Sequence, residues 1–323
     1  MMYILRILIL IFALALFAFH LKYLTIENEN LIIFKSISAS ERASFVQPFG
    51  RVRPVYYVTP KYNLAGCIIP KSMSQLVTAT MCYLYEPEAF LAGNQSMYDV
   101  HFLRDKRFEF LNSIPIFAYF LFCLDVTETT RSKYSMRPKK KDINIRRYAI
   151  IRDPFDRFLS FYLNKCIAEN HCWDCNGDMR CVARRAYENL RAFRKAKPMK
   201  RVTRHKYEEF HAAPLSWYCD FNSDLSAYDI FVMGPKKEER VPALKKFGDL
   251  LYRQNVPHDQ IKYIMDHALG GESTHSTFDD PKRKETELQL KTDPVVRKYL
   301  HRIYYYDYHI FELNRNVLDE EYR

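Results

Sequence analysis

Short apolar runs alternate with helical patterns along most of this 323-residue chain, and this alternation constrains the fold more than any other feature. The clearest case is an apolar run over 148–151 followed by a helical pattern over 155–167. A second pair joins an apolar run over 64–69 to a helical pattern over 74–85, and residues 228–233 form another apolar run. Such alternation is typical of an α/β fold with a central, largely parallel sheet, in which ligands bind at the carboxyl ends of the strands.

Four further helices are predicted from their hydrophobic patterns, over 179–197, 241–254, 259–268 and 294–311. From about residue 51 to 315 the sequence has the texture of a globular domain with no linker inside it. Residues 25–50 are mostly polar and are interpreted as a stem, and 316–323 as a polar tail.

The N-terminus predicts the compartment. Residues 7–19 are unbroken apolar sequence, with Arg6 before them and Lys22 shortly after. This pattern suits a signal segment, and the small-x-small triplet from Ala13 to Ala15 lies inside the apolar run rather than after it. We therefore predict an uncleaved signal-anchor over 1–24, with a cleaved signal peptide as the alternative. Both interpretations place the rest of the chain in a lumen or outside the cell.

Cysteines and a glycosylation sequon are consistent with that placement. Asn94-Gln95-Ser96 is an N-glycosylation sequon, and the chain has eight cysteines. In an oxidising lumen the cluster from Cys166 to Cys181 predicts local disulfides. A zinc site is the competing interpretation, because His171, Cys172 and Cys175 are closely spaced, although no second pair of ligands completes it.

The formal net charge of +11 implies anionic partners. The basic runs include Lys139-Lys140-Lys141 and Arg184-Arg185, which are candidate contacts for a polyanionic glycan. Solvated faces of helices and loops are the alternative interpretation of these runs. A nucleic acid as partner is disfavoured by the membrane anchor.

The turn after the apolar run 148–151 carries anion-binding chemistry. Asp153 suits an N-cap and Pro154 the first helical position, so a helix is predicted to begin there. Arg152 at the strand end and Ser160 on the polar helix face are predicted to bind one anion together with the N-terminal N–H groups of the helix. The alternative is that Arg152 pairs with a neighbouring aspartate and that Ser160 is merely exposed. Arg157 and Asn164 are predicted to share the polar face with Ser160.

The turn after the apolar run 64–69 is a second candidate. Pro70-Lys71-Ser72 ends the strand, and Ser72 or Ser74 is predicted to cap the next helix. A lysine with adjacent hydroxyl and N–H groups at a helix start is typical of phosphate binding, although the turn lacks the glycines of a nucleotide-hydrolysing P-loop.

Four segments together resemble the Golgi carbohydrate sulfotransferases and occur in that family's order. They are Pro70-Lys71-Ser72-Met73-Ser74, similar to the 5′-phosphosulfate loop; Arg152-Asp-Pro-x-x-Arg157-x-x-Ser160, similar to the 3′-phosphate motif; the segment from His211 through Pro214 to Cys219 with Tyr228-Asp229; and the tyrosine-rich end from Ile303 to Phe311. The likeness covers about 51–313 and is nearest to the branch acting on chondroitin and dermatan. It departs at Met73, where the family usually has glycine or alanine, and in the cysteine cluster.

The resemblance implies a P-loop-like sulfotransferase fold and sulfuryl transfer from 3′-phosphoadenosine 5′-phosphosulfate to a glycan hydroxyl, without a metal. It assigns the 5′ end of the donor to Lys71 and to the helix start at Ser72, Met73, Ser74 and Gln75, and the 3′-phosphate to Arg152 and Ser160. It also implies a Golgi membrane protein of type II orientation.

A sugar hydroxyl needs a general base, and His211 is the candidate within the family-like segment, with His275 and Glu272 as alternatives. Trp217 is interpreted as a core residue rather than a sugar platform. The competing function is a non-catalytic membrane protein that binds glycosaminoglycans. Such a protein would have no need for the predicted 3′-phosphate site at Arg152 and Ser160. A lumenal kinase is not supported, because the sequence lacks the glycine-rich loop and the catalytic motifs of kinases.

Overall fold

The computed structural model describes residues 37–93, 95–97, 145–195, 201–202, 206–270 and 282–323. The chain divides into two compact units. The described part of the smaller unit comprises 37–45 and Asn314–Arg323, and the larger unit spans Val46–Leu313. Every residue of the candidate site discussed below belongs to the larger unit.

The larger unit is built on a four-stranded sheet. Its order is β2 (Tyr56–Thr59), β3 (Leu64–Cys67), β4 (Arg146–Ile151) and β6 (Tyr228–Val232). Strands β3, β4 and β6 are parallel, and β2 pairs antiparallel with β3. A separate parallel pair joins β1 (Arg51–Val52) to β5 (Arg201–Val202). The predicted mostly parallel α/β sheet is confirmed.

Helices flank this sheet. In chain order the described α-helices of the larger unit are α1 (Ser74–Tyr85), α2 (Pro87–Ala92), α3 (Pro154–Phe161), α4 (Met179–Lys195), α5 (Tyr207–Ala212), α6 (Phe221–Asp224), α7 (Lys237–Arg253), α8 (His258–Gly270), α9 (Arg283–Thr292) and α10 (Pro294–Ile310). Helix α1 packs on β2 and β3, α7 packs on β6, and α10 packs on α3 and α4.

The core follows from alternation along the strands. Tyr148 and Ile150 on β4 lie in one buried apolar cluster with Phe231 of β6 and Phe247 of α7. Strand β3 is buried along its whole length, and a Cβ at Gly66 would lie 2.9 Å from the Tyr148 hydroxyl. Glycine is therefore the residue that lets β3 and β4 approach each other at this point.

The predicted helix bounds hold within a few residues, with one departure that matters for the site. The pattern over 155–167 predicts one continuous α-helix, but α3 ends at Phe161 and a π-helix follows over Tyr162–Ala168. The prediction missed strand β2, the β1–β5 pair and the helices α2, α5, α6 and α9. The two residues of β1 and of β5 are too few to give a periodic signal.

The smaller unit has its own short helix, Ala39–Ser44, capped by the side chain of Ser38. The ring of Phe45 lies 6.0 Å from that of Tyr322. The predicted domain boundaries, including the stem over 25–50, stay predictions. No helix in the described ranges has both the length and the hydropathy to cross a membrane, and the predicted anchor over 1–24 lies outside those ranges.

Candidate active site

The first predicted anion-binding turn lies between β3 and α1. Lys71 and Met73 both adopt positive φ, 64° and 53°, so the chain cannot continue as a regular helix through the turn. Helix α1 begins at Ser74 with Met73 as its N-cap residue, so the prediction that Ser72 or Ser74 caps it is wrong. Glycine adopts a positive φ without strain, whereas Met73 carries a Cβ in that conformation.

This turn presents unsatisfied donors. In the described residues no side chain caps α1, so the N–H groups of its first turn, at Ser74 and Gln75, have no capping acceptor. The hydroxyl of Ser72 is buried and has no hydrogen-bond partner in the same part of the structure. Buried donors without partners are costly, and an anion at the helix start would accept from them. The donor set therefore fits a phosphate or sulfate group.

The second turn, between β4 and α3, differs. Asp153 is the N-cap of α3, as predicted, and its Oδ1 accepts from the N–H groups of Phe155 at 2.9 Å and Asp156 at 3.0 Å. Its Oδ2 accepts from the Tyr308 hydroxyl at 2.9 Å. The expectation that this helix start offers free N–H groups to an anion is therefore wrong at those two positions, because the capping carboxylate already occupies them.

Arg152 and Ser160 flank that first turn of α3. The Arg152 guanidinium forms an ion pair with Asp156, which also accepts from Arg283 Nη2 at 2.6 Å. This pairing is the alternative that the sequence left open. Ser160 is only 7% exposed, so it is not the exposed serine of that alternative. An anion bound by Arg152 would compete with Asp156 for the guanidinium.

Arg157 lies in the interior rather than on the predicted polar face. The residue is fully buried, and its two terminal nitrogens donate to the carbonyl of Ala213 at 3.0 and 2.5 Å. One of them also donates to the Tyr218 hydroxyl at 3.1 Å. The segment after α5 thus supplies the acceptors that let an arginine be buried here. Arg157 supports the segment that carries His211 instead of facing a ligand.

The π-helix brings the two turns together. Asn164, 8% exposed, accepts a hydrogen bond from the ammonium group of Lys71 through its Oδ1. A π-helix inserts extra residues per turn and shifts the side chains that follow, and such segments are frequent at functional sites. Lys71 of the first turn therefore touches the helix that the second turn begins.

Lys71 is held in an environment that disfavours its charge. Burial, followed by the positive charges of Lys165 and Arg152, lowers the pKa of Lys71 to about 7, while Glu169 acts in the opposite direction. Cations without a matching number of counter-charges favour an anionic ligand, which would restore the protonated form of Lys71.

His211 belongs to the same electrostatic environment. Its Nδ1 lies 2.6 Å from the carbonyl oxygen of Tyr207. Because a carbonyl only accepts, Nδ1 carries the proton and Nε2 keeps its lone pair. Burial, followed by the charge of Lys71, lowers the pKa of His211 to about 3, so the imidazole is neutral at physiological pH. The protonation state suits a proton acceptor.

The segment from His211 to Cys219 is fixed by the C-terminal helix and by a disulfide. The carboxylate of Asp307 accepts from the N–H groups of Leu215 at 2.6 Å and Ser216 at 3.0 Å. Cys219 is bonded to Cys67 at the end of β3, directly before the Lys71 turn. The tyrosine-rich end of the chain, which carries Asp307, thus has a structural role.

Three residues of the site were missed by the sequence reasoning: Lys165, Glu169 and Tyr207. Lys165 and Glu169 are four residues apart and form an ion pair, a spacing visible in the sequence. Tyr207 donates to Glu169 Oε2 at 2.8 Å, which links α5 to the π-helix. The α-helical assignment of this stretch hid the fact that this pair turns toward Lys71.

The remaining predicted residues divide into three groups. Glu272, His275, Lys139-Lys140-Lys141 and the sequon residue Asn94 lie outside the described residues. Arg184 and Arg185 are exposed on α4. Trp217 is 2% exposed and donates to the carbonyl of Gln47 at 2.9 Å, which is a core role.

The cysteine cluster forms two local disulfides, Cys166–Cys172 and Cys175–Cys181, as predicted. The two sulfurs that the zinc alternative required, those of Cys172 and Cys175, are therefore each bonded to another cysteine, Cys166 and Cys181 respectively. The first disulfide begins at the residue after Lys165, so it clips the π-helix to the segment that follows it.

Comparisons with known proteins agree with this site. A family model described as the sulfotransferase family matches residues 54–314. The chain is 31% identical over 284 residues to carbohydrate sulfotransferase chst-1 of Caenorhabditis elegans, a match that covers 85% of this chain and 80% of that protein. It is 30% identical over 261 residues to a protein of the same organism named "Putative sulfotransferase vep-2", over 76% of this chain and 74% of that one. No solved structure matches the chain at a significant level.

Proposed function

This chain belongs to the carbohydrate sulfotransferase family and is an enzyme that transfers a sulfuryl group to a glycan; from that premise we propose that its donor is 3′-phosphoadenosine 5′-phosphosulfate and its acceptor a glycosaminoglycan such as chondroitin. The observation that carries the proposal is the hydrogen bond from Lys71 to Asn164, which joins the first anion-binding turn to the helical segment that begins at the second. A nucleotide that bears anionic groups at both its 5′ and 3′ positions needs two such turns close together.

The 5′ end of the donor is assigned to the turn before α1. The uncapped first turn of α1, the unpartnered hydroxyl of Ser72 and the ammonium group of Lys71 supply donors to one anion. Met73 shapes this turn through its positive φ, and Ser74 and Gln75 contribute N–H groups. Binding of the anion raises the pKa of Lys71, and the charged ammonium then stabilises negative charge on the oxygen that leaves sulfur.

The 3′-phosphate is assigned to Arg152 and Ser160. Arg152 is already desolvated, with a side chain 14% exposed, and needs only to exchange the carboxylate of Asp156 for a phosphate oxygen. Arg283 remains with Asp156 after that exchange. A guanidinium that binds phosphate in place of a carboxylate keeps the same fork geometry.

His211 is proposed as the general base. Its Nε2 takes the proton of the acceptor hydroxyl while that oxygen bonds to sulfur, and the bond between sulfur and the donor oxygen breaks, so that adenosine 3′,5′-bisphosphate leaves with the electron pair. The hydrogen bond from Nδ1 to Tyr207 keeps the ring in the required tautomer. The developing imidazolium is stabilised when the anionic donor offsets the charge of Lys71.

The acceptor and the compartment complete the proposal. An anionic glycan chain would bind basic surface residues, of which Arg184 and Arg185 are exposed on α4. Disulfides of Cys67, Cys166 and Cys175 support an oxidising compartment, and we place the enzyme in the Golgi membrane with its catalytic domain in the lumen. The N-terminal segment would supply the type II anchor.

The test is a transfer assay with the purified protein. Donor labelled on the sulfuryl group is incubated with desulfated glycosaminoglycans, and the labelled position is located after digestion. Chondroitin is expected to accept label, and Lys71→Ala and Arg152→Ala are each expected to lower incorporation by at least about tenfold, the worth of a charged hydrogen bond, while both proteins remain folded at the assay temperature. Lys61→Ala, an exposed lysine outside the site, is the matched control. If both site variants kept wild-type activity, the site assignment would be wrong.

A further inference from the structure

A second lysine lies next to the Lys71 contact. Lys165 follows Asn164 on the π-helix, and its side chain is 13% exposed. A long, flexible cation is rarely this well covered unless something holds it there. Its charge acts on Lys71 and lowers the pKa of that lysine, so the two ammonium groups belong to the same site.

Three contacts hold Lys165 in place. Its ammonium group forms an ion pair with Glu169, and it lies 5.1 Å from the centre of the Tyr207 ring. The hydroxyl of Tyr207 donates to the other oxygen of the same carboxylate at 2.8 Å. Burial alone would raise the pKa of Glu169, but the hydrogen bonds from Lys165 and Tyr207 lower it, so the carboxylate is ionised. The lysine is thus pre-positioned, with an aromatic face on one side and a carboxylate on another.

The charge of Lys165 acts on both residues to which the reacting groups are assigned. It lowers the pKa of Lys71, which is assigned to the 5′ end of the donor, and also the pKa of His211, the proposed base. With the roles proposed above, the sulfuryl group would pass from an oxygen near Lys71 to a hydroxyl near His211. Tyr207 connects the two elements, since its carbonyl orients His211 and its hydroxyl binds Glu169.

We propose that Lys165 is a catalytic residue that binds the non-bridging oxygens of the sulfuryl group during transfer, and that Glu169 is a positioning residue that holds this lysine in place. This proposal rests on the proposed function and adds a residue to the same site. When the donor binds, the ammonium group of Lys165 shares its donors between Glu169 and the sulfuryl oxygens. A lysine can do this because it has three rotatable N–H donors.

The proposal predicts that Lys165 contributes to the affinity for the sulfated donor but not to that for the desulfated product. Adenosine 3′,5′-bisphosphate has both phosphates of the donor but lacks the sulfuryl group. Loss of a cation that touches only the sulfuryl group should weaken binding of the sulfated donor and spare the desulfated product. A lysine that merely stabilises the fold, or that contacts the phosphates, gives no such difference.

The experiment measures equilibrium binding of the two nucleotides and steady-state transfer for wild type, Lys165→Ala and Lys165→Gln. Glutamine keeps the aliphatic stem against Tyr207 and can still donate to Glu169, so it serves if the alanine variant does not fold. Because a hydrogen bond to a charged group is worth a factor of about 10–100 in affinity, we expect a loss of this order for the sulfated donor in either variant. We expect a change of less than about threefold for the desulfated product, and a fall in kcat because the contact tightens during transfer.

Lys262→Ala is the matched control. Lys262 also pairs with a carboxylate four residues later, Asp266, but both side chains are more than half exposed on α8. This variant should leave both affinities and kcat unchanged. The proposal would be overturned if the Lys165 variants lost affinity for both nucleotides equally, or if they lost affinity for neither nucleotide. A wild-type protein that bound neither nucleotide would instead refute the proposed donor, an outcome that the unmodified protein reveals before any variant is made.

Discussion

The ammonium group of Lys71 donates a hydrogen bond to the side-chain oxygen of Asn164, across a sequence separation of 93 residues. This contact determines where the ends of a bridging ligand can lie, because it joins the turn before α1 to the helix that follows β4. Parallel pairing of β3 with β4 makes the contact possible, since it places the carboxyl ends of both strands at one edge of the sheet.

Donor binding should depend on pH through Lys71. Its pKa is about 7 in the free protein, and only the protonated form attracts an anion. The affinity for adenosine 3′,5′-bisphosphate should therefore be highest below pH 7 and fall by up to about tenfold per pH unit above it, with proton uptake on binding. Titration calorimetry in buffers of different ionisation enthalpy measures both the affinity and the proton uptake. The pH range of 6 to 9 extends about one unit below and two units above the pKa of Lys71.

Lys71→Arg is the control for this titration, because arginine stays charged over the whole range. His211 contributes no slope there, since its pKa of about 3 lies far below. A variant that kept the wild-type slope would show that another group titrates.

Much of the fold was readable from the sequence because its signals are local. The four apolar residues of β3 and the pair Asp153-Pro154 act over a few positions, and both appear where the pattern placed them. The assignment of anion-binding chemistry to Lys71 and Arg152 also used local patterns, and it stays a prediction that the experiments above test.

The features that sequence reasoning missed depend on contacts between distant segments. Arg157 looked like a surface residue by helical spacing, but the carbonyl of Ala213, 56 positions away, determines that it is buried. The π-helix has no signature in the hydrophobic pattern. Lys165 was therefore assigned to no site, although its spacing from Glu169 is plain in the sequence.

Replacing His211 by asparagine should separate catalysis from structure. The amide N–H of asparagine can still donate to the Tyr207 carbonyl, as Nδ1 does now, but asparagine has no basic nitrogen. We expect kcat to fall by about 10²–10⁴-fold, the usual contribution of a general base, with donor affinity nearly unchanged.

The comparison variant for His211 is His267→Asn. His267 also bonds a carbonyl four residues earlier, that of Tyr263, but it lies on the exposed face of α8. It should keep full activity. A His211 variant that lost thermal stability but retained kcat would show a structural histidine.

The two local disulfides should differ in their effect on activity although they close loops of equal length. Cys166–Cys172 and Cys175–Cys181 each span 6 residues, so the loop-closure model gives similar losses of about 2 kcal/mol in the free energy of unfolding. Only the first is attached directly to the helix that carries Asn164 and Lys165. The double variant Cys166→Ser with Cys172→Ser should therefore raise the KM for donor, whereas Cys175→Ser with Cys181→Ser should change stability alone. Equal KM values in both double variants would contradict the proposed link between the first disulfide and the site.

The two arginines of the segment after β4 should respond in opposite ways to the same substitution. Arg157→Met removes the donors to Ala213 and Tyr218 from a fully buried position, and the buried carbonyl of Ala213 loses both of the hydrogen bonds that Arg157 donates to it. We expect a cost of about 3 kcal/mol or more, read as a fall of roughly 10 °C in the melting temperature. Arg152→Met also removes one partner of Asp156, but Arg283 still donates to that carboxylate, so the melting temperature should fall less than in Arg157→Met.

Activity should show the reverse order. Arg152→Met should lower kcat/KM by about 10–100-fold, the worth of a charged hydrogen bond to the 3′-phosphate, and should do so at temperatures where the protein is fully folded. Arg157→Met, measured well below its own melting temperature, should bind donor with nearly wild-type affinity, because its contacts support the His211 segment and not the nucleotide. If instead Arg157→Met lost donor affinity while keeping its stability, this buried arginine would belong to the nucleotide site, and the division of roles between the two arginines would have to be reversed.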